Sequence, residues 1–275
     1  MRPGEGSQPV TPEDDVHQLT GGGPVIWETR GRVQVIRLGC PPANVIGQPV
    51  LDGLSSALDA FDASLAKVLV VTSSVPGFFA AGADIKQIEN GDRAAFEAFG
   101  VAFREPLERL AAHSRPSIAV VEGLALGGGL ELAMAATFRV AGDKALFAMP
   151  EVKLGLIPGA GGTQRLPRLV GRGNAMRLML FGNEISATEA AKMGLVDRIT
   201  QQGAALDAAM SLAQELAGMP AAAMTAVMRS VVDSADLRLS AGLAAEVVRI
   251  NDLFDTADAR EGISAFLQGR VPRYA

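Results

Sequence analysis

Glu131 is the one carboxylate in an apolar stretch, GLALGGGLELA (123–133), directly after three consecutive glycines, Gly127, Gly128 and Gly129. If a helix begins at those glycines, its N-terminus favours a negative charge nearby. The N–H groups left without partners in that first turn would also trap a developing oxyanion. A second acid, Glu151, follows 20 residues later in FAMPEVKLGLIPG (147–159). Two carboxylates flanking a substrate are a recurrent general acid/base arrangement. Taken singly, Glu151 reads as a solvated loop glutamate and the glycines as a site of close helix packing. GFFAAGADI (77–85) supplies a further set of small residues after a buried strand, hence a second backbone donor. Asp84 within it also reads as a helix cap.

Glycines before a helix equally suggest a phosphate loop. The spacing from Gly123 to Gly128 fits one, but Gly129 and Leu130 stand where Lys and Ser/Thr are required. The dinucleotide fingerprint fails as well, because Leu130, Glu131 and Leu132 follow Gly129. The other glycine cluster, IPGAGGTQRL (157–166), matches neither pattern.

These groups need elements to hold them. RVQVIRL (32–38) alternates as a strand, VLDGLSSALDAF (50–61) has helical spacing, and KVLVVTSS (67–74) reads as a strand buried on both faces. A long helix over 93–113 precedes another buried strand, SIAVVEG (117–123), and FRVAG (138–142) and ALFAMP (145–150) add two short strands. Strands alternating with helices at this spacing predict an α/β fold with a largely parallel sheet. From about residue 163 the texture becomes helical, with segments at 205–218, 221–235, 238–254 and 257–268. The expected division is a leader over 1–24, an α/β core over 25–200 and a helical region over 201–275.

Bulk properties narrow the chemistry. The 275 residues are 48% hydrophobic, ample for a core, and the net charge of −5 without a Lys/Arg cluster argues against nucleic acid or an anionic membrane. Cys40 is the single cysteine, so no internal disulfide forms and a reducing, cytoplasmic compartment is expected. A histidine-based hydrolase or metal site would have to use His17 or His113, which lie far apart in sequence. No apolar run is long enough to span a bilayer. The N-terminal segment has no signal-peptide core, and its Gly, Pro and acidic residues read as a disordered leader.

Together, FFAAGADIKQI, VEGLALGGGLELAMAATFRVAG, FAMPEVKLGLIPGAGGTQRLPRLVG and ISATEAAKMGLVDRI resemble the crotonase superfamily, and within it the enoyl-CoA hydratases, over about residues 25–274. The resemblance implies a spiral core of repeated ββα units with a helical C-terminal region that builds trimers, often paired as hexamers. It implies an acyl-CoA thioester substrate, with coenzyme A as part of the substrate and no separate cofactor or metal. The thioester oxygen would sit between the N–H groups of Ala83 and Gly128, with Glu131 and Glu151 as the catalytic acids. Coenzyme A would contact Ala81, Gly82, Asp84 and Ile85, with Ala43 in a backbone role. The family's basic residue near the first strand is missing from LGCPPANVI (38–46), and Lys86, or less favourably Arg270 or Arg273, is the candidate substitute.

Both glutamates favour hydration in fatty-acid or related acyl-CoA breakdown. The alternatives are another crotonase reaction, such as double-bond isomerisation or thioester hydrolysis, and a non-catalytic acyl-CoA-binding protein. Phe96, Phe99 and Phe103 recur at helical spacing and could line an acyl pocket, although core packing is the favoured reading.

Overall fold

Valine, isoleucine and leucine run along the central strands without a polar face, which requires that both sides of the sheet be covered. The computed structural model describes residues 20–89 and 91–274. The chain opens with a hairpin, β1 (Val25–Arg30) and β2 (Val33–Leu38), followed by β3 (Val45–Ile46) and α1 (Gln48–Ala63). Pro49 lies in the first turn of α1, where its missing N–H costs nothing, so the helix begins two residues before its apolar pattern does.

Strand pairs followed by helices then repeat. β4 (Val68–Ser73) and β5 (Phe78–Ala80) lead through β6 (Gly82–Ala83) to α2 (Ile85–Glu89) and α3 (Arg93–Ala111). β7 (Ser117–Val121) and β8 (Leu124–Leu126) lead to α4 (Gly128–Ala135). β9 (Phe138–Gly142) and β10 (Leu146–Ala148) lead through a 3₁₀ turn, Glu151–Leu154, to α5 (Gly162–Phe181). α5 breaks at Gly171, whose φ of 76° and ψ of 160° are not helical. β11 (Ile185–Ser186), α6 (Ala187–Lys192) and β12 (Arg198–Thr200) follow, then α7 (Ala205–Ala217), α8 (Ala221–Asp233), α9 (Leu239–Phe254) and α10 (Ala257–Gln268).

The first strand of each pair joins a six-stranded sheet, β1-β2-β4-β7-β9-β12, parallel from β2 onward. The second joins a four-stranded sheet, β11-β10-β8-β5, in which β5, β8 and β10 are parallel. This is the expected spiral of ββα units, each turn adding one strand to each sheet.

Period-2 alternation sorts the side chains of β4. Leu69 and Val71 enter the main core with Phe61, Phe79 and Phe147. Val68 and Val70 face the other way, with Val33, Val35, Ile118 and Val120, against Ala205, Ala209 and Ala213 of α7. Alanine every fourth residue leaves α7 a smooth stripe that lies close on the sheet. Each fully buried Val, Leu or Phe contributes about 1.5–3 kcal/mol. α7 is thus one layer of the α/β sandwich, whereas α8 and α9 have no buried residue.

Most of the leader, residues 1–19, and His17 with it, lies outside the described residues. Thr20 already pairs with Trp27, N–H to carbonyl in both directions, at 2.8 and 2.9 Å. Among the described residues no helix is long and apolar enough to cross a membrane.

Candidate active site

The three parallel strands of the smaller sheet end level with one another, since Leu126 pairs with Ala148 and Ala125 with Ala80. Just past those ends the chain presents Ala83 after β5, Gly128 and Glu131 after β8, and Glu151 after β10. All four line one cavity of about 400 Å³. The carboxyl ends of parallel strands are where α/β sheets generally place ligands.

Gly128 is the first helical residue of α4, so its N–H has no acceptor within the helix. Ala83 reaches the same wall through a short parallel pairing in which Val45 opposes Gly82 and Ile46 opposes Ala83. A Cβ on Gly82 would lie 3.0 Å from the Leu126 carbonyl oxygen and 3.5 Å from the Gly128 nitrogen, so the two donor segments touch. The Gly127 N–H donates to Ala148 O at 2.9 Å and carries the strand register into the helix start.

Glu131 sits in the first turn of α4 and is 3% exposed. Its Oε1 accepts from the Ala160 and Gly162 N–H groups, both at 2.7 Å. Burial pushes its carboxyl above the ordinary range, while those two donors and the nearby Arg165 pull it back. Arg165 Nη1 donates to Ala160 O at 2.8 Å and so holds the loop that holds Glu131. Glu151 begins the 3₁₀ turn, and its buried Oε2 has no hydrogen-bond partner. Burial, opposed by its own backbone N–H and reinforced by the charge of Glu131, raises the Glu151 carboxyl to about 7. One acid is therefore tied down by backbone donors, and the other, with Oε2 unpartnered, is poised to exchange a proton near neutrality.

Gly127 keeps Glu151 in place. Its φ of 52° and ψ of −122° suit glycine, and a Cβ there would meet Glu151 Oε1 at 2.9 Å. Gly127→Ala is expected to cost about 1–3 kcal/mol of stability, measured by urea unfolding. An unchanged unfolding midpoint would contradict the strained reading of this turn.

Of the coenzyme A candidates, Ala81, Gly82 and Ile85 line the cavity. Ala43, Asp84 and Lys86 do not. Ala43 acts through its backbone, its carbonyl accepting from the Ala81 N–H at 3.0 Å. Asp84 Oδ1 accepts from the Lys86 N–H at 3.0 Å, as the helix-cap reading expects, and Lys86 is exposed. Arg270 is held by both oxygens of Glu261, at 2.6 and 2.9 Å. His113 is remote from the cavity, its Nε2 2.8 Å from Asp62 Oδ1 and its ring against Phe61.

Phe96, Phe99 and Phe103 all line the cavity, and the packing reading also holds for Phe103, which is buried in the core, and for Phe99, which packs against it, whereas Phe96 is exposed. Sequence reasoning missed Ala160, Gly162 and Arg165. Their signal is present in GAGGTQRL, a glycine cluster opening a helix, but its N–H groups serve the protein's own Glu131 carboxyl rather than an external phosphate. Among the described residues no group of three or more His, Cys, Asp or Glu side chains could hold a metal ion.

A family model described as Enoyl-CoA hydratase/isomerase matches residues 28–275. A probable enoyl-CoA hydratase from Rhizobium meliloti is 40% identical over 251 residues, 91% of this chain and 97% of that protein. The 2,3-dehydroadipyl-CoA hydratase of Escherichia coli is 38% identical over 251 residues, 91% of this chain and 98% of that one. A crystal structure of an enoyl-CoA hydratase from Bacillus anthracis superposes with a TM-score of 0.85 at 31% identity, covering 94% of this chain and 98% of the other.

Proposed function

This chain belongs to the enoyl-CoA hydratase/isomerase family, and on that premise we propose that it adds water across the 2,3 double bond of a 2-enoyl-CoA thioester to give the 3-hydroxyacyl-CoA. The observation that carries this reading is the pair Glu131 and Glu151 facing one cavity beside a helix N-terminus.

The thioester oxygen accepts from the N–H groups of Ala83 and Gly128. Glu131, ionised, takes a proton from water as the water oxygen bonds to Cβ. The π electrons of the double bond move toward Cα and the carbonyl oxygen, where the two donors hold the charge. Loss of one such donor costs about 10²–10³ in rate. Glu151, protonated, then delivers its proton to Cα. The turnover leaves Glu131 protonated and Glu151 ionised, and exchange with solvent restores both. The aliphatic and aromatic walls receive the acyl chain, while Ala81, Gly82 and Ile85 line the path toward coenzyme A.

The test is an assay with crotonyl-CoA that follows loss of conjugated enoyl-thioester absorbance and identifies the product. The expected result is rapid loss with formation of 3-hydroxybutyryl-CoA. Three results would defeat the reading. They are no reaction across a series of 2-enoyl thioesters, conversion of 3-enoyl thioesters without net water addition, and release of free coenzyme A.

Assembly as a homotrimer, or as a dimer of trimers, belongs to the same proposal. Val227 and Val231 of α8 and Leu243, Val247 and Phe254 of α9 are all more than half exposed in the single chain, an apolar surface suited to burial against further copies. A cytoplasmic location is proposed on the single cysteine, Cys40.

A further inference from the structure

Among the described residues Arg104 is the one cationic side chain lining the cavity that holds both glutamates. It lies on α3 and shares the cavity lining with Phe99 and Phe103 of its own helix and with Leu156 and Ile157 of the loop before α5. Among the described residues it makes no ion pair. Its single hydrogen bond runs from Nη1 to Gly159 O at a long 3.3 Å, leaving the rest of the guanidinium fork unused. Nor is it there to balance the acids, since the cation beside Glu131 is Arg165, which lies outside the cavity wall. The other acid on the wall, Glu97, is turned to Arg93 at 2.8 Å and is largely exposed.

A guanidinium against a plain alkyl chain loses water and gains nothing. A carboxylate would match its fork with two parallel charge-assisted hydrogen bonds. We propose that Arg104 recognises a second carboxylate at the far end of the acyl chain, so that the preferred substrates are 2-enoyl thioesters of dicarboxylic acids. This rests on the hydratase reading and names the substrate class of that same site.

Gly159 O belongs to the peptide whose Ala160 N–H donates to Glu131 Oε1, so one loop peptide is bonded by both the guanidinium and the acid, and a substrate with its Cβ beside Glu131 shares the cavity with Arg104.

The experiment compares kcat/KM for the six-carbon 2-enedioyl mono-CoA thioester with that for 2-hexenoyl-CoA, using the full chain and Arg104→Met, which keeps an unbranched stem. The parent is expected to favour the carboxylated thioester by about 10²-fold or more, as sites built around a polar contact do. In Arg104→Met that ratio should collapse toward one, chiefly through KM, and Arg104→Lys should recover part of it. A parent ratio of one or below overturns the proposal. So does a ratio that Arg104→Met leaves intact, which would make Arg104 a strap for the 159 loop.

Calorimetric binding of the saturated pair, adipyl-CoA and hexanoyl-CoA, separates the two readings. If no thioester is hydrated but adipyl-CoA binds tighter only when Arg104 is present, the hydratase reading fails and the carboxylate site stands. Equal binding of the two removes the site whatever the activity.

Discussion

Glu151→Gln is expected to lower the rate of crotonyl-CoA hydration by about 10³-fold, within the range for loss of a positioned general acid. Glutamine keeps the shape of the side chain and removes the proton that goes to Cα. The pH profile gives a sharper readout. Glu151 titrates at about 7 and in the proposed mechanism acts protonated, so parent kcat/KM should fall as pH rises through 7. Dehydration of the 3-hydroxyacyl-CoA needs the ionised form and should rise over the same interval. Both inflections should be absent from Glu151→Gln.

The substitution should change stability in the opposite sense to activity. The folded-state value lies above the ordinary 4.5, so the favourable contribution is complete below pH 4.5 and is lost as pH rises through 7. Above pH 7 the parent carries a buried charge whose Oε2 has no partner. Thermal midpoints at pH 8 should therefore be equal or higher in Glu151→Gln, and the gain should shrink as pH falls. A variant that is both inactive and less stable at pH 8 would place Glu151 among structural residues.

Gly129→Ala is expected to prevent accumulation of folded protein. A Cβ at Gly129 would sit 2.1 Å from Ala80 O, 2.7 Å from its carbonyl carbon and 2.8 Å from its Cβ. These are mostly backbone atoms of β5, which is locked to β8, and every residue of α4 is buried. Neither side can retreat, so the cost should exceed about 4 kcal/mol, the diagnostic tail for single substitutions. Gly128→Ala is a comparison beside it, because its Cβ meets the end of the Phe103 ring at 2.5 Å, a core side chain rather than strand backbone, so a smaller loss is expected. Soluble yield and urea midpoints for the two variants would decide the matter, and a well-folded Gly129→Ala would refute the argument.

That contrast separates two readings of the glycine run that the sequence leaves entangled. Close packing against backbone is the reason for Gly129, backbone dihedrals and the room beside Glu151 for Gly127, and the Phe103 ring beside the helix start on the cavity for Gly128. Where a pattern is local and repeated, the sequence sufficed. β9 and α10 match their expected limits, and β4 is buried on both faces as its unbroken apolar run requires. β3, β5, β6 and β8 have only two or three residues each, too few to show a period. They exist because a neighbouring strand completes their hydrogen bonds, which is tertiary information.

The same limit applies to the site. Glu131 and Glu151 stood out as acids in unusual surroundings, but their donors and neighbours come from other turns of the spiral. Arg104 gave no signal, because an arginine on an amphipathic helix reads as solvent-facing until the opposite wall is known.

The level ends of β5, β8 and β10 have a consequence for how this chemistry can change. Oxyanion binding is assigned to the β5 and β8 ends, while Glu151 arrives from β10 on a short turn of its own. On the proposed roles, rewriting the few residues after β10 would alter proton delivery and leave the oxyanion donors in place. On that assignment the spiral is a rack of positions, where one loop can be replaced while the thioester's donors are kept.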